Sequence, residues 1–258
     1  MNSDKTPHLN PIVVIPARMA SSRLPGKPLA DIGGVPMIVH VMQRAMTANV
    51  GPVVVACAEA EIVDAVQAGG GRAVLTDPDL PSGTDRVRAA VQIIDPPKNG
   101  IVRYDCVVNV QGDLPTLDPL AISAAVNVLA EIPACDIATL VVATDNEREI
   151  TDPNVVKAVL AMKNQDRGRA LYFTRATAPS GAGSVWHHIG LYAYRRTALD
   201  KFCTLPPSPL ERRERLEQLR ALEAGMRIDA AVISTAPYGV DTPEDLERAR
   251  AEISGTTK

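Results

Sequence analysis

Three basic side chains crowd one short stretch of this chain. Arg18, Arg23 and Lys27 lie within Ala17-Arg18-Met19-Ala20-Ser21-Ser22-Arg23-Leu24-Pro25-Gly26-Lys27-Pro28, directly after the apolar run 12–16. If that run is a strand of an open α/β sheet, the loop stands at its carboxyl end, where such sheets bind ligands. Arginine offers phosphate a planar fork of donors and lysine a point charge, so the cluster suits a polyphosphate. Local chemistry alone also permits a solvated basic loop. The loop is not a Walker A motif, because Gly26-Lys27 is followed by Pro28 rather than Ser or Thr. No G-x-G-x-x-G fingerprint occurs either, and Gly69-Gly70-Gly71 reads as a turn after a helix. Two aspartates occupy comparable positions. Asp113 follows the apolar run 106–110 through Gln111-Gly112, which would project it from a strand's carboxyl end. Asp241 precedes Thr242-Pro243-Glu244-Asp245, a helix start with a Thr N-cap, Pro in the first turn and early acids. That pattern accounts for residues 242–245 and leaves Asp241 without a local role.

The elements that must carry these residues alternate. Short, β-branched apolar runs at 12–16, 53–57, 73–76 and 106–110 predict strands buried on both faces of a mostly parallel sheet. Helical patterns at 36–48, 59–68, 84–94 and 119–129 fall between and after them. This βαβ alternation predicts a doubly wound three-layer sandwich. Farther on, 137–143, 155–161, 170–173, 189–194 and 228–234 read as strands. The segment 210–224 reads as one charged helix with Leu216, Leu219 and Leu222 on a stripe, and 242–253 as the closing helix.

Composition excludes several classes. The 258 residues suffice for one large α/β domain, and the formal net charge of -3 gives no support for nucleic acid as a partner. No apolar run reaches the roughly 18 residues of a membrane span, so no membrane insertion is expected. Met1 to Asn10 is polar, reads as a short disordered lead-in, and lacks the apolar stretch of a signal peptide. The four cysteines, Cys57, Cys106, Cys135 and Cys203, form no C-x-x-C pair and read as small core residues. A cytoplasmic protein is expected.

The loop also belongs to a longer pattern. The stretch from Val14-Ile15-Pro16-Ala17-Arg18 through Ser22-Arg23-Leu24-Pro25-Gly26-Lys27-Pro28-Leu29 closely resembles the start of the CMP-Kdo synthetases, the 3-deoxy-manno-octulosonate (Kdo) cytidylyltransferases. Collinear matches follow at Ser82-Gly83-Thr84-Asp85-Arg86, Val108-Asn109-Val110-Gln111-Gly112-Asp113, Ala170-Leu171-Tyr172-Phe173-Thr174-Arg175, His188-Ile189-Gly190-Leu191-Tyr192, Leu216-Glu217-Gln218-Leu219-Arg220 and Gly239-Val240-Asp241-Thr242-Pro243. The resemblance covers nearly the whole chain after residue 10. It implies the nucleotide-diphospho-sugar transferase fold: one nucleotidyltransferase domain over 11–258, with a smaller sugar-binding and dimerisation lobe at about 145–225. It implies CTP and Kdo as substrates, CMP-Kdo for lipopolysaccharide synthesis and pyrophosphate as products, Mg²⁺ as cofactor and a homodimer.

Roles follow residue by residue from the same resemblance. Asp113 and Asp241 become the Mg²⁺ ligands, in keeping with an ion that takes only one or two protein carboxylates. Arg18 and Lys27 join them as catalytic residues and hold the triphosphate with Arg23. Ser82, Gly83 and Arg86 lie on the nucleotide side, although Ser82-Gly83-Thr84-Asp85 also reads as a turn entering a helix. Arg175, His188, Tyr192, Glu217 and Gln218 match sugar-binding positions. Arg175 at a strand end suits a sugar carboxylate, and His188 and Tyr192, four apart, share a face if the strand is extended. The chain departs from the family pattern at Leu114, commonly an acid, at Pro81, commonly Gln, and between Pro179 and His187, where it is shorter. A nucleotidyltransferase for a related acidic sugar and a non-catalytic nucleotide- or sugar-binding relative are the alternatives.

Overall fold

Runs rich in Val and Ile become strands where both faces can be buried, and amphipathic stretches between them become helices. A computed structural model describes residues 9–21 and 23–255. In chain order the elements are β1 (Pro11–Ala17), a 3-10 turn at Lys27–Leu29, β2 (Asp31–Ile32), β3 (Val35–Pro36), α1 (Met37–Thr47), β4 (Val53–Cys57), α2 (Ala60–Ala68), β5 (Ala73–Leu75), α3 (Gly83–Ile94), β6 (Cys106–Asn109) and α4 (Pro119–Glu131). They continue with β7 (Ile137–Thr144), α5 (Glu147–Thr151), β8 (Lys157–Met162), β9 (Arg167–Thr174), β10 (Val185–Arg195), α6 (Arg196–Thr204), α7 (Pro209–Glu214), α8 (Gln218–Glu223), β11 (Ile228–Val232) and α9 (Pro243–Ile253). Among the described residues, no helix is long and apolar enough to cross a membrane. The expected disordered lead-in falls mostly on residues 1–8, outside the described residues. Asn10 is tied down, its backbone N–H donating to Asp105 Oδ1 (2.7 Å) and its side chain to the Arg103 carbonyl (2.7 Å).

The chain divides into two compact units. One comprises Asn10–Ser123 and Pro237–Lys258, the other Ala124–Ala236. In the first, the strands pair in the order β5-β4-β1-β6, all parallel. β1 is buried at nearly every position and β6 at all four, as a sheet covered on both faces requires. Helices α1 and α2 pack on β4, and α3 packs on β1, giving the layered α/β sandwich that the alternation predicts. The C-terminal α9 returns to this unit. Leu246, Ala249 and Val240 join Ile32 and Met37 in a buried cluster, and the Arg250 guanidinium donates to the Asp31 carbonyl at 2.7 and 2.9 Å. The loop holding Asp241 is thereby fixed to the sheet that carries the basic loop.

In the second unit the order is β10-β7-β11-β9-β8, and β8 pairs back to β10 through Trp186 with Ala158 and His187 with Lys157. Five residues of β10, from Ile189 to Ala193, stand opposite three of β7, Leu140 to Ala138, so β10 carries two extra residues. An insertion of even length preserves which face each side chain takes. The expected single helix 210–224 is corrected here. It breaks into α7 and α8 at Arg215, which caps α7 in the left-handed conformation (φ 56°). Neither Gly nor Pro marks that break. Leu216 and Leu219 are buried as the stripe predicts, while Leu222 is partly exposed. The short elements β2, β3 and α5 lie where no periodic pattern is long enough to register.

Candidate active site

The first unit gathers its charges at the carboxyl ends of β1 and β6. After Ala17 the chain runs through Arg18 to Gly26, whose left-handed backbone (φ 71°) turns Lys27 inward at the start of the 3-10 turn. The Met19 N–H is held by Glu59 Oε2 at 3.0 Å, a carboxylate that no sequence motif singled out. From β6 the chain passes Gln111 and Gly112 to Asp113. A Cβ on Gly112 would stand 2.8 Å from the Pro16 carbonyl oxygen, so this position needs glycine for the two loops to approach. Asp113 in turn accepts the Val240 N–H at its carbonyl (2.9 Å). One backbone bond thus brings Asp241 alongside.

The side chains then meet. Lys27 Nζ donates to Asp113 Oδ2 at 2.8 Å and to Asp241 Oδ1 at 3.0 Å. Arg23 reaches the other Asp241 oxygen at 2.8 Å. Burial works against the Lys27 charge, but the two carboxylates outweigh it and hold the ammonium above the ordinary lysine range. The expected cap of α9 is present: Thr242 and Asp245 form a reciprocal capping box, and Asp245 also accepts the Asp241 N–H at 3.2 Å.

A cavity of about 380 Å³ opens over this cluster. Its lining includes Arg18, Arg23, Lys27, Ser82, Gly83, Arg86, Asp113 and Asp241, every nucleotide, metal and catalytic residue expected from the sequence. Gln111, Gly112 and Ser21 also line it; all three sit inside matched motifs. The Arg18 side chain is exposed and makes no hydrogen bond or ion pair among the described residues, so its donors face solvent. Ser82 does what a helix start requires, accepting the Asp85 N–H at 3.1 Å as N-cap of α3. Arg86 is buried and donates to Thr76 Oγ1 (2.7 Å) and to the carbonyls of Asp77 (3.0 Å) and Pro78 (3.3 Å). Burial lowers its pKa, and it serves as a fixed positive charge at the cavity wall.

The second unit holds the residues expected on the sugar side. His188, Tyr192, Phe173 and Tyr194 form an aromatic series, with His188 and Tyr192 ring centroids 5.6 Å apart. The shared face expected for His188 and Tyr192 is present despite the β10 irregularity. His188 Nε2 lies 2.9 Å from Thr139 Oγ1, whose hydroxyl also approaches the Leu191 carbonyl at 2.9 Å. The hydroxyl has one proton, so donating it to the carbonyl leaves its oxygen to accept from His188 Nε2–H. Burial pushes the His188 pKa down to about 3, which keeps the ring neutral. Burial and then the nearby Glu217 carboxylate push the Tyr192 phenol up. Gln218 is buried at the start of α8. Arg175 spends donors on protein: Nε on the Glu214 carbonyl (2.8 Å), one terminal nitrogen on Pro153 (2.9 Å) and the other on Arg215 (3.4 Å).

Residues 12–228 match the cytidylyltransferase family model. The 3-deoxy-manno-octulosonate cytidylyltransferase of Rhodospirillum rubrum is 66% identical over 242 residues, 93% of this chain and 94% of its own. That of Paramagnetospirillum magneticum is 63% identical over 244 residues, 94% of this chain and 97% of its own. This chain belongs to the 3-deoxy-manno-octulosonate cytidylyltransferase family. Among solved structures, a CMP:2-keto-3-deoxy-manno-octonic acid synthetase complexed with CTP is 39% identical, covers 96% of this chain and all of its own, and has a TM-score of 0.86. A nucleotidyl transferase from Methanothermobacter thermautotroptrophicus, 17% identical with a TM-score of 0.62 over 96% of this chain and 99% of its own, shares the fold.

The departures from the family pattern can now be placed. Leu114 is buried, and its Cδ2 would lie 3.9 Å from a Cβ on Gly239, so it packs beneath the loop leading to Asp241. Pro81 is exposed, immediately before the Ser82 cap, and lies outside the cavity lining. Gly181 and Gly183 take left-sided backbone angles in an exposed turn before β10.

Proposed function

We propose that this chain is the cytidylyltransferase that joins CTP and Kdo into CMP-Kdo with release of pyrophosphate. The observation that carries the reading is the cluster in which one ammonium, Lys27, is shared by Asp113 and Asp241 at the wall of a cavity rimmed by Arg18 and Arg23. The anomeric hydroxyl of the sugar attacks the α-phosphate directly, and pyrophosphate leaves. Arg18, Arg23 and Lys27 hold the triphosphate, and Arg86 adds fixed positive charge. Such groups aim preorganised donors at charge that develops during transfer, and losing one costs about 10²–10³ in rate. No covalent intermediate with the protein is required; positioning and electrostatics suffice.

Mg²⁺ is part of the proposal. The two carboxylates already share a cation, and they supply the hard oxygen donors that Mg²⁺ prefers, in the number it commonly takes. Asp113 and Asp241 would hold it, where it would neutralise charge on the phosphates and the leaving group. Arg175, His188, Tyr192, Glu217 and Gln218 recognise the acidic sugar. Support for that set is the family pattern together with the neutral His188 and the Tyr192–Glu217 proximity. A homodimer is proposed on the family resemblance alone, and a cytoplasmic location on the composition.

The test is pyrophosphate release by purified protein with Mg²⁺, CTP and Kdo, run beside reactions in which UTP, ATP or GTP replaces CTP and sialic acid replaces Kdo. Release confined to CTP with Kdo supports the proposal. Release with another pair would keep the reaction and move the specificity. A folded protein that binds CTP yet releases nothing with any pair would refute it.

A further inference from the structure

Glu214 matched none of the residues expected to do chemistry, yet it stands at the centre of the sugar-side geometry. Its carboxylate accepts Thr174 Oγ1–H at 2.8 Å and the Arg175 backbone N–H at 3.0 Å, with the Tyr172 hydroxyl farther off at 3.4 Å. Its own carbonyl accepts Arg175 Nε–H at 2.8 Å. Residue 214 and residue 175 therefore grip each other twice, main chain to side chain in both directions. The grip lies at one particular place. Glu214 is the last residue of α7, and the next residue, Arg215, is the left-handed break that ends that helix. Two residues after the break come Glu217 and Gln218, the start of α8, with the Glu217 carboxylate near the Tyr192 phenol.

We propose that Glu214 is a positioning residue for sugar recognition: it fixes the Arg175 guanidinium and the α7–α8 break together, and so sets Glu217 and Gln218. The inference rests on the sugar-side reading proposed above. The burial of Glu214 alone would raise its pKa, but the hydrogen bonds from Arg175, Thr174 and Tyr172 outweigh it and hold the carboxyl below the ordinary range. The group is thus an ionised acceptor throughout the neutral range. The α7 helix does not need it for capping, because Ser208 and Glu211 cap the other end. A carboxylate at the last turn of a helix also runs against the helix dipole. Its position is explained by what it binds on β9 rather than by the helix that carries it.

The experiment compares Glu214→Gln and Glu214→Ala with wild type, reading KM for Kdo, KM for CTP and kcat separately. Gln is close to isosteric. Its amide oxygen can take the Arg175 N–H, but its NH₂ cannot accept the Thr174 Oγ1–H as the carboxylate does, so Gln keeps one contact and loses the charge and the other. Ala removes every contact of the carboxylate and keeps only the backbone carbonyl that accepts Arg175 Nε–H. The expected result is a Kdo KM raised about 10-fold or more in the Ala variant and by less in the Gln variant, with CTP KM within about 2-fold of wild type in both. A merely structural role would lower the melting temperature and the amount of active enzyme without separating the two KM values. If Glu214→Ala does not fold, the Gln variant decides alone. An unchanged Kdo KM in the Gln variant, or an equal rise in both KM values, overturns the proposal. Arg175→Lys is measured in parallel. If it raises Kdo KM while the Gln variant does not, the positioning proposal fails and the sugar-side reading stands. If it leaves Kdo KM unchanged, the direct sugar role of Arg175 fails, and a rise in the Gln variant then assigns the effect to Glu217 and Gln218.

Discussion

Replacing Gly112 by alanine probes the site without removing any functional group. The added Cβ would stand 2.8 Å from the Pro16 carbonyl oxygen, 3.4 Å from Ile38 Cδ1 and 3.7 Å from Ile15 Cγ2. Ordinary contact begins near 3.4 Å, so either the end of β1 or the Gln111–Asp113 loop must give by about 0.6 Å. The obstructing atom is backbone in a strand buried along nearly its whole length, and the strand cannot rotate away as a side chain could. Overpacking of this kind costs about 1–3 kcal/mol, which corresponds to a melting temperature lower by roughly 2–12 °C for a chain of this size. Asp113 follows directly and Arg18 lies two residues beyond Pro16, so the displacement reaches both sides of the cavity. A 1 Å misplacement can cost about 10²-fold in rate, and the shift here predicts a fall in kcat/KM of about 10-fold or more. The assay is steady-state pyrophosphate release beside a thermal melt. Gly239→Ala is the control, because its Cβ would meet only Leu114 Cδ2, at 3.9 Å, and should change both quantities little. Wild-type activity and melting temperature in Gly112→Ala would refute the claim that this close approach sets the site.

Further outcomes follow from the same geometry. Lys27→Met should lower kcat/KM by about 10²–10³, because it removes a phosphate donor and leaves Asp113 and Asp241 facing each other without their shared cation; a change under about 3-fold would remove Lys27 from the mechanism. Glu211 is held below the ordinary carboxylate range: burial opposes this, but Arg220 and the Ser208 N–H prevail, and Arg220 grips both its oxygens at 2.6 and 2.8 Å. A depressed folded-state pKa gives stability that is present above the ordinary value of 4.5 and lost as pH falls through the folded value. Melting temperature should therefore drop as pH is lowered from about 5 towards 3, and less steeply in Glu211→Gln; equal slopes would contradict this. Burial pushes the thiols of Cys57 and Cys135 up to about 12, whereas Cys203 is partly exposed. A thiol reagent at pH 8 should label Cys203 first in the native protein and the buried thiols of Cys57, Cys106 and Cys135 only on unfolding, as read by mass spectrometry of digested protein.

The first half of the fold was legible because its signals are local and redundant. The runs at 12–16, 53–57 and 106–110 are too apolar and too short for anything but buried strands, and the Thr242 cap follows from a four-residue pattern. The cavity lining was legible for a related reason: its residues sit in loops at strand ends, and the strands place those loops together. The α7–α8 break was not legible. At the break, Arg215 is left-handed and its carbonyl, like that of Glu214, accepts from the Arg175 guanidinium, forty residues away in sequence, and nothing in residues 210–224 signals it. Glu59 and Glu214 escaped notice likewise, since each acts on a backbone N–H distant in the chain. Gly112 had a visible context but no visible reason, because its constraint is the Pro16 carbonyl on a neighbouring strand. Arg86 shows the converse: the motif located it at the cavity, and the structure adds that its guanidinium is anchored by the 76–78 loop.

The most direct test of the central claim is single-turnover pyrophosphate release from CTP and Kdo across a Mg²⁺ series, in wild type and in Asp113→Asn and Asp241→Asn. The account predicts Mg²⁺-dependent release in wild type, and in each variant a rate reduced by about 10²-fold or more with CTP binding retained. Release that is independent of Mg²⁺, or that survives loss of either carboxylate at close to the wild-type rate, would contradict it.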